Sequence, residues 1–193
     1  MFSFSNLSPP ITQVAGPWFR VHQTGKGAIF FGRSGRNRWD SPDKSYGVMY
    51  AGETWQAAFM ESVLHDPSTK TVLHSQLLKR SMALLRTTTP LQLVDVSDGV
   101  VLRALELTES ETKAIPYEKP QWISKAIYTA GWNVHGIRYT SRLDSKLGCL
   151  ALFDCPDDML AVHDLEPLVA PANQGMVRSI LSQYQIRLIN DLS

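Results

Sequence analysis

The feature that most constrains the fold is segment 52–65, GETWQAAFMESVLH, a predicted helix that is apolar on nearly every side. Thr54 is its predicted N-cap. A helix of this kind is normally covered on both faces, so it must lie inside a layered domain. Its interior holds one charge, Glu61, and an unpaired carboxylate there would cost several kcal/mol. Glu61 is therefore expected either in a structural salt bridge or facing a substrate between arginines.

The size and composition of the chain indicate one ordinary globular domain. It has 193 residues, of which 44% are hydrophobic and 19% charged, and this length allows a substantial core. The formal net charge is +1, which argues against general electrostatic attraction to nucleic acid or to anionic membranes. No apolar run approaches the ~18 residues of a membrane span. We therefore expect no direct nucleic-acid partner and no membrane association.

The two cysteines, Cys149 and Cys155, form no disulfide framework, which fits a reducing cytoplasm. The five histidines are scattered without metal-ligand spacing, so no metal site is expected. The N-terminus lacks the pattern of a signal peptide. Residues 1–17, which contain three prolines, are predicted to form an irregular lead-in to a single domain at 18–193.

The hydrophobic patterns alternate between strand and helix along the chain. Helices are predicted at 52–65, 99–111, 121–132 and 175–186. Strand-like patterns occur at 18–22, 28–32, 46–52, 71–78, 82–88, 91–97, 134–141, 149–153 and 159–168. The predicted fold class is α+β, with a mixed, mostly antiparallel sheet and flanking helices.

Two arginine-containing segments are candidates for anion binding. Arg20 interrupts the bulky strand WFRV and either points to water or reaches into a cleft where it can hold phosphate. The loop GRSGRNRWD contains Arg33, Arg36 and Arg38. Its glycines allow close backbone approach to an anion, although a solvated hairpin loop explains it equally well. No Gly-Lys-Ser/Thr follows, so it is not a Walker loop.

Two further segments carry polar groups next to predicted strands. Tyr50 ends the strand that leads into the helix of Glu61. Ser141 and Arg142 follow the strand IRY within GIRYTSRLD. Ser141 has neither a GxSxG elbow nor an obvious His and Asp, so it is not predicted to be a nucleophile. A turn-capping hydroxyl is the structural alternative.

Taken in order, these segments resemble the RES domain family. The matching pieces are WFRV, NRWDSP, VMYAGETWQAAFMESVLH and GIRYTSRLDSKLGCLALFD, and the resemblance covers about residues 18–188. It implies a single-domain fold like that of diphtheria-toxin-type ADP-ribosyltransferases. It also implies that the chain cleaves the nicotinamide–ribose bond of NAD+, as a phosphorylase or glycohydrolase toxin of a toxin–antitoxin system.

The resemblance also implies partners and leaves alternatives open. NAD+ would be a consumed substrate with no resident cofactor, and inorganic phosphate, an Xre-type helix-turn-helix antitoxin and a second copy of the chain are implied partners. The first alternative is a protein ADP-ribosyltransferase toxin. The second is a catalytically inactive binding domain, in which Arg20 and Glu61 form a structural ion pair.

The family's named residues correspond to Arg20, Glu61 and Ser141, which the resemblance identifies as catalytic. Arg20, Arg38, Tyr50 and Ser141 are then the residues that bind NAD+, and Arg33, Arg36 and Arg142 are candidates for phosphate or acceptor contacts. The chemistry of these groups agrees. Arginines neutralise a pyrophosphate, a tyrosine can stack on nicotinamide, and a fixed carboxylate stabilises an oxocarbenium-like ribose.

Overall fold

The computed structural model describes residues 3–64, 68–155 and 159–192. Its main element is an eight-stranded sheet with the order β1-β6-β7-β8-β3-β2-β5-β9. The strands of this sheet are β1 (Thr12–Val14), β2 (Trp18–Gln23), β3 (Val48–Gly52), β5 (Arg80–Thr87), β6 (Leu91–Asp95), β7 (Gly136–Thr140), β8 (Gly148–Phe153) and β9 (Leu160–Pro167). A small parallel sheet pairs β4 (Thr71–Leu73) with β10 (Arg187–Ile189).

Six α-helices and one π-helical turn accompany the sheets in the described ranges. The helices are α1 (Trp55–Phe59), α2 (His74–Leu78), α3 (Gly99–Ala104), α4 (Glu109–Thr112), α5 (Glu118–Thr129) and α6 (Pro171–Gln183). The π-helical turn, Met60–Leu64, continues α1 directly. None of these helices is long and apolar enough to cross a membrane.

The predicted α+β class with a mostly antiparallel sheet is confirmed. Within the large sheet, β6 and β7 run parallel, and its other neighbouring strands pair antiparallel. The predicted N-cap is also confirmed, because Thr54 Oγ1 accepts a hydrogen bond from the backbone N–H of Ala57 at 3.0 Å. The helix predicted at 121–132 is present as α5, which ends at Thr129, shortly before Gly131 with φ +78°.

Several local predictions are wrong. Segment 28–32 forms no strand but a single bridge from Gly32 to Val48, and the Phe30 carbonyl accepts from the Arg20 side chain instead of a strand partner. The strand predicted at 71–78 becomes helical after Leu73. The helix predicted at 99–111 is split into α3 and α4, with Glu106 between them at φ 56°. In the lead-in predicted to be irregular, β1 pairs with β6.

The segment with Glu61 is helical but not uniformly α-helical. Its α part is buried at Trp55, Ala57, Ala58 and Phe59, as expected for a helix covered on both faces. Gly52 is needed just before it, because a Cβ there would lie 2.4 Å from the Ala58 nitrogen. His65, the last residue of the predicted helix, lies outside the described residues.

The core lies on both faces of the sheet. Every residue of β8 is buried, with Cys149 and Ala151 in one hydrophobic cluster and Leu150 and Leu152 in the other. The first cluster also contains the buried residues of α1 and α5. A strand covered on both sides gives a continuous apolar run, and segment 149–153, predicted to be a strand, has this pattern.

The sheet opens between two of its central strands. β2 and β3 share one paired position, Phe19 with Gly52. Beyond this pair, β2 continues beside β5 through residue 23, while β3 continues beside β8. The two strands thus diverge, and the side chains that follow Phe19 on β2 line the resulting gap.

Candidate active site

A cavity of about 500 Å³ lies at this opening of the sheet. Its volume is within the range of small-molecule sites, roughly 300–1,000 Å³. It brings together five of the eight predicted site residues, Arg20, Arg38, Tyr50, Glu61 and Arg142. The other residues that line it are Val21, His22, Gln23, Asn37, Ser62, Val63, Arg80, Tyr117, Tyr139 and Leu143.

Glu61 lies in the π-helical turn, and two hydroxyls hold its carboxylate. Ser141 Oγ donates to Glu61 Oε1 at 2.5 Å, and the Tyr139 hydroxyl approaches Oε2 at 3.4 Å. The wider turn of a π-helix changes the direction of a side chain relative to a regular α-helix, and such turns are frequent at functional sites. The carboxylate is half-buried and fixed in position.

Ser141 therefore acts on Glu61. Its side chain is buried, with 1% exposure. Its Oγ accepts from the Leu143 backbone N–H at 3.1 Å while donating to Glu61. The turn-capping hydroxyl considered from the sequence is thus present, and the same oxygen orients the carboxylate. Tyr139, which the sequence analysis did not select, is buried, and its pKa lies well above the usual value because of that burial and the charge of Glu61.

Arg38 is a buried arginine that donates hydrogen bonds to two backbone carbonyls. Its Nε donates to Thr112 O at 2.7 Å and its Nη1 to Thr140 O at 3.2 Å. The guanidinium lies over the rings of Trp39 and Tyr139, at 4.9 and 5.1 Å from their centres. Burial lowers its pKa. These contacts fix the group, and the nearby charge of Glu61 offsets part of the effect of burial.

Asp40 organises the loop that carries Arg38. Its carboxylate accepts from the backbone N–H groups of Arg36 and Asn37 and from the Tyr50 hydroxyl, at 2.9–3.1 Å. The Tyr50 hydroxyl in turn accepts from the Trp39 N–H at 3.0 Å. Asp40 was not predicted, although an Asp inside a loop rich in Gly, Ser and Asn is a typical local anchor.

Arg20 is the least satisfied polar group of the site. Its Nη2 donates to Phe30 O at 3.1 Å. Its Nε and Nη1 are buried and have no hydrogen-bond partner in the described part of the chain. Burial lowers its pKa to about 10. A buried donor without a partner is costly, and such groups often mark the position of a ligand.

The remaining arginines separate into two groups. Arg142 lines the cavity, and its Nη1 donates to the Tyr117 hydroxyl at 3.0 Å. Arg33 and Arg36 are exposed and do not line the cavity. Arg33 pairs with Asp154 instead. Of the three loop arginines, the structure thus brings Arg38 to the site.

The described residues contain no group of three or more His, Cys, Asp or Glu side chains suited to a metal ion. Cys149 and Cys155 are free thiols. Among the described residues, the ionisable side chains that line the cavity are one carboxylate, four guanidinium groups, one histidine and three tyrosines.

A family model described as RES domain matches residues 17–171, well over half of the chain. The chain belongs to the RES domain family. All five cavity residues predicted from the sequence, and Ser141, lie inside the matched range. A search of curated proteins finds no significant match.

A similar fold is seen in a solved structure. The chain superposes with a TM-score of 0.69 on a protein in the crystal structure of the M. tuberculosis MbcT–MbcA toxin–antitoxin complex. The two are 15% identical, and the match covers 88% of this chain and 92% of the other. At this identity the likeness concerns the fold, and the residues of the site must be judged by their own geometry.

Proposed function

We propose that this RES domain binds NAD+ in the cavity and breaks its nicotinamide–ribose bond, acting as an NAD+ phosphorylase or glycohydrolase toxin. The observation that supports this most directly is the placement of Glu61. Ser141 and Tyr139 hold its carboxylate, in a cavity that also presents Arg20 and Arg38. One fixed carboxylate near several guanidinium groups suits a ligand with both a cationic ring and a pyrophosphate.

The arginines provide the binding of the dinucleotide. Arg20 and Arg38 neutralise the pyrophosphate, because guanidinium groups form strong charge-assisted hydrogen bonds with phosphate oxygens. Both have pKa values lowered by burial, so an anion restores a favourable environment for their charge. The Tyr50 hydroxyl is held by Asp40, which fixes the ring at the cavity wall, where it can stack on the nicotinamide.

Glu61 then stabilises the reacting ribose. As the bond from the nicotinamide nitrogen to the ribose carbon breaks, the electron pair leaves with the nicotinamide and positive charge develops on the ribose. The Glu61 carboxylate faces this charge and lowers its energy, which is the logic of glycosidases. An acceptor then forms a new bond to the same carbon. With phosphate the product is ADP-ribose-1″-phosphate, and with water it is ADP-ribose.

The family context extends the proposal to fold and partner. We infer that the fold, with its sheet open between β2 and β3, is of the ADP-ribosyltransferase type. The superposed structure is of a toxin–antitoxin complex, so we infer that an antitoxin, of the Xre type, binds this chain in the cytoplasm. NAD+ is the consumed substrate, and no resident cofactor takes part.

Product analysis with labelled NAD+ tests the proposal. Purified protein is incubated with NAD+ labelled in the adenylate half, with and without phosphate, and nicotinamide release is followed in parallel. ADP-ribose-1″-phosphate or free ADP-ribose supports the proposal and separates phosphorolysis from hydrolysis. Label on protein would instead establish the ADP-ribosyltransferase alternative. Intact NAD+ would leave the chain as an inactive binding domain and refute the proposal.

A further inference from the structure

His22 is a buried group of the cavity that the proposed reaction leaves unused. It lies two residues after Arg20 on β2, so the two Cα atoms are about 7 Å apart along the strand. The side chain is 8% exposed and lines the same cavity as Arg20 and Arg80. Its Nε2 atom has no hydrogen-bond partner in the described ranges of the chain.

The other ring nitrogen determines what Nε2 can do. Nδ1 lies 3.1 Å from the backbone carbonyl of Gln23. A carbonyl oxygen can only accept, so Nδ1 carries a proton. Burial, with a further contribution from the charge of Arg20, lowers the pKa of His22, which keeps the ring neutral near pH 7. In the neutral ring, Nε2 then offers a lone pair and needs a donor.

Arg20 and Arg80 line the same cavity as His22. Arg20 has two buried nitrogens, Nε and Nη1, without partners among the described residues. Arg80 donates Nη1 to Gln76 O at 2.8 Å, and burial lowers its pKa. This combination calls for a ligand that is an anion and that also carries one proton to donate. Hydrogen phosphate has both properties, whereas sulfate lacks the proton.

We propose that Arg20, His22 and Arg80 form a subsite for hydrogen phosphate, in which His22 Nε2 accepts the hydrogen bond of the phosphate hydroxyl. The inference deepens the proposed function and rests on it, because it assigns a specificity-determining residue to the acceptor. The Phe30 carbonyl holds Arg20 from the loop after β2. Because Nε and Nη1 of Arg20 both have no partner among the described residues, its guanidinium can contact this phosphate and the pyrophosphate of NAD+ together.

The subsite should prefer an oxyanion that carries a proton over one that does not. At about pH 8, His22 is neutral and inorganic phosphate is mainly the singly protonated dianion. Sulfate has no proton, and a phosphate monoester such as AMP has lost its second proton, whose pKa is about 6. We expect phosphate to bind at least about tenfold more tightly than sulfate, the scale of one hydrogen bond to a charged group. Titration with AMP tests whether the subsite binds the phosphate of a nucleotide instead of free phosphate.

Calorimetric titration of the full chain with phosphate, sulfate and AMP tests the proposal. In His22→Gln, the side-chain amide of the glutamine can donate as well as accept a hydrogen bond. This variant should therefore lose the preference for phosphate over sulfate. His163→Gln, on exposed strand β9, should keep the wild-type preference. Equal binding of phosphate and sulfate by the wild-type chain, no binding of phosphate, or unchanged selectivity in folded His22→Gln would each overturn the subsite.

The same preparations separate this inference from the proposed function. If the chain releases nicotinamide from NAD+ in phosphate-free buffer but binds phosphate and sulfate equally, the enzyme assignment stands and the subsite is wrong. If phosphate selectivity is present and NAD+ remains intact, the subsite stands and the proposed reaction is wrong.

Discussion

Arg138 and Arg20 belong to the same sheet but balance their charges in opposite ways. Arg138 pairs with two carboxylates, with Nε–Oε1 of Glu53 at 2.5 Å and Nη1–Oδ2 of Asp95 at 2.6 Å. Its hydrogen bonds to Glu53, followed by those to Asp95, outweigh partial burial and raise its pKa. Arg20 has one carbonyl partner and two nitrogens without partners in the described chain, and burial lowers its pKa.

This difference distinguishes charges that are paired within the fold from charges that are available to a ligand. The cluster of Glu53, Asp95 and Arg138 is closed, because both carboxylates pair with the same guanidinium inside the protein. The cavity is open. Four arginines line it, and among the described residues of its wall Glu61 is the one carboxylate. A cluster of four buried or half-buried arginines with one carboxylate is destabilising by itself, which favours an anionic ligand in the cavity.

Neutralising one carboxylate in each region tests this distinction most directly. Glu61→Gln should fold and lower NAD+ turnover by about 10²–10³-fold, the usual cost of losing one preorganised electrostatic contact. Glu53→Gln should keep turnover within about threefold of wild type and unfold more easily, since Arg138 loses part of its charge-assisted pairing. Nicotinamide release and thermal unfolding of both variants provide the measurement. Near wild-type turnover in Glu61→Gln would remove Glu61 from the reaction.

Replacing the cavity arginine separates binding from stability. Arg20→Met keeps much of the side-chain length and removes an incompletely paired charge. We expect NAD+ affinity to fall by about 10–100-fold, the value of a charge-assisted contact to phosphate, while the free energy of unfolding stays level or rises. Titration calorimetry and chemical denaturation give the two quantities. A variant that binds NAD+ normally but unfolds more easily would make Arg20 a structural residue.

The sequence predicts well those features that depend on local patterns. The buried strand β8 and the capped start of α1 follow from apolar runs and a Thr N-cap, and the structure confirms both. Glu61 stands out because a charge in an apolar helix needs an explanation. The resemblance of their segments to the RES domain family implied that Arg20, Arg38, Tyr50 and Glu61 share one site, and these residues line the same cavity.

Features that depend on long-range geometry were not predictable. The divergence of β2 from β3 depends on the pairing of each with a different neighbour, and no local pattern describes this. The π-helical turn at Glu61 is likewise set by packing. His22 and Asp40 were missed because a histidine and an aspartate become informative only when their partners, or the lack of partners, are known.

The closed cluster should show the opposite response to loss of its arginine. Arg138→Met leaves Glu53 and Asp95 without their cation in partly buried positions. We expect the free energy of unfolding to fall by about 1–2 kcal/mol, between the values for exposed and buried pairs. NAD+ affinity should change less than about threefold, an effect smaller than a typical single hydrogen bond. Denaturant unfolding and NAD+ titration check this. Unchanged stability would mean that the cluster contributes no more than a surface pair.

Replacing Arg33 should have the smallest effect on stability and turnover. It tests whether an arginine of this loop must lie in the cavity to affect NAD+ turnover. It lies in the same loop as Arg38, but its side chain is about half exposed and bridges Asp154 outside the cavity. Since water screens such pairs, Arg33→Ala should change the free energy of unfolding by less than about 1 kcal/mol. NAD+ turnover should stay within about twofold of wild type, because the cavity charge is unaltered and long-range screening is strong at physiological salt. A large loss of turnover in Arg33→Ala, measured by nicotinamide release beside Arg38→Ala, would show that the loop delivers more than one arginine to the anion.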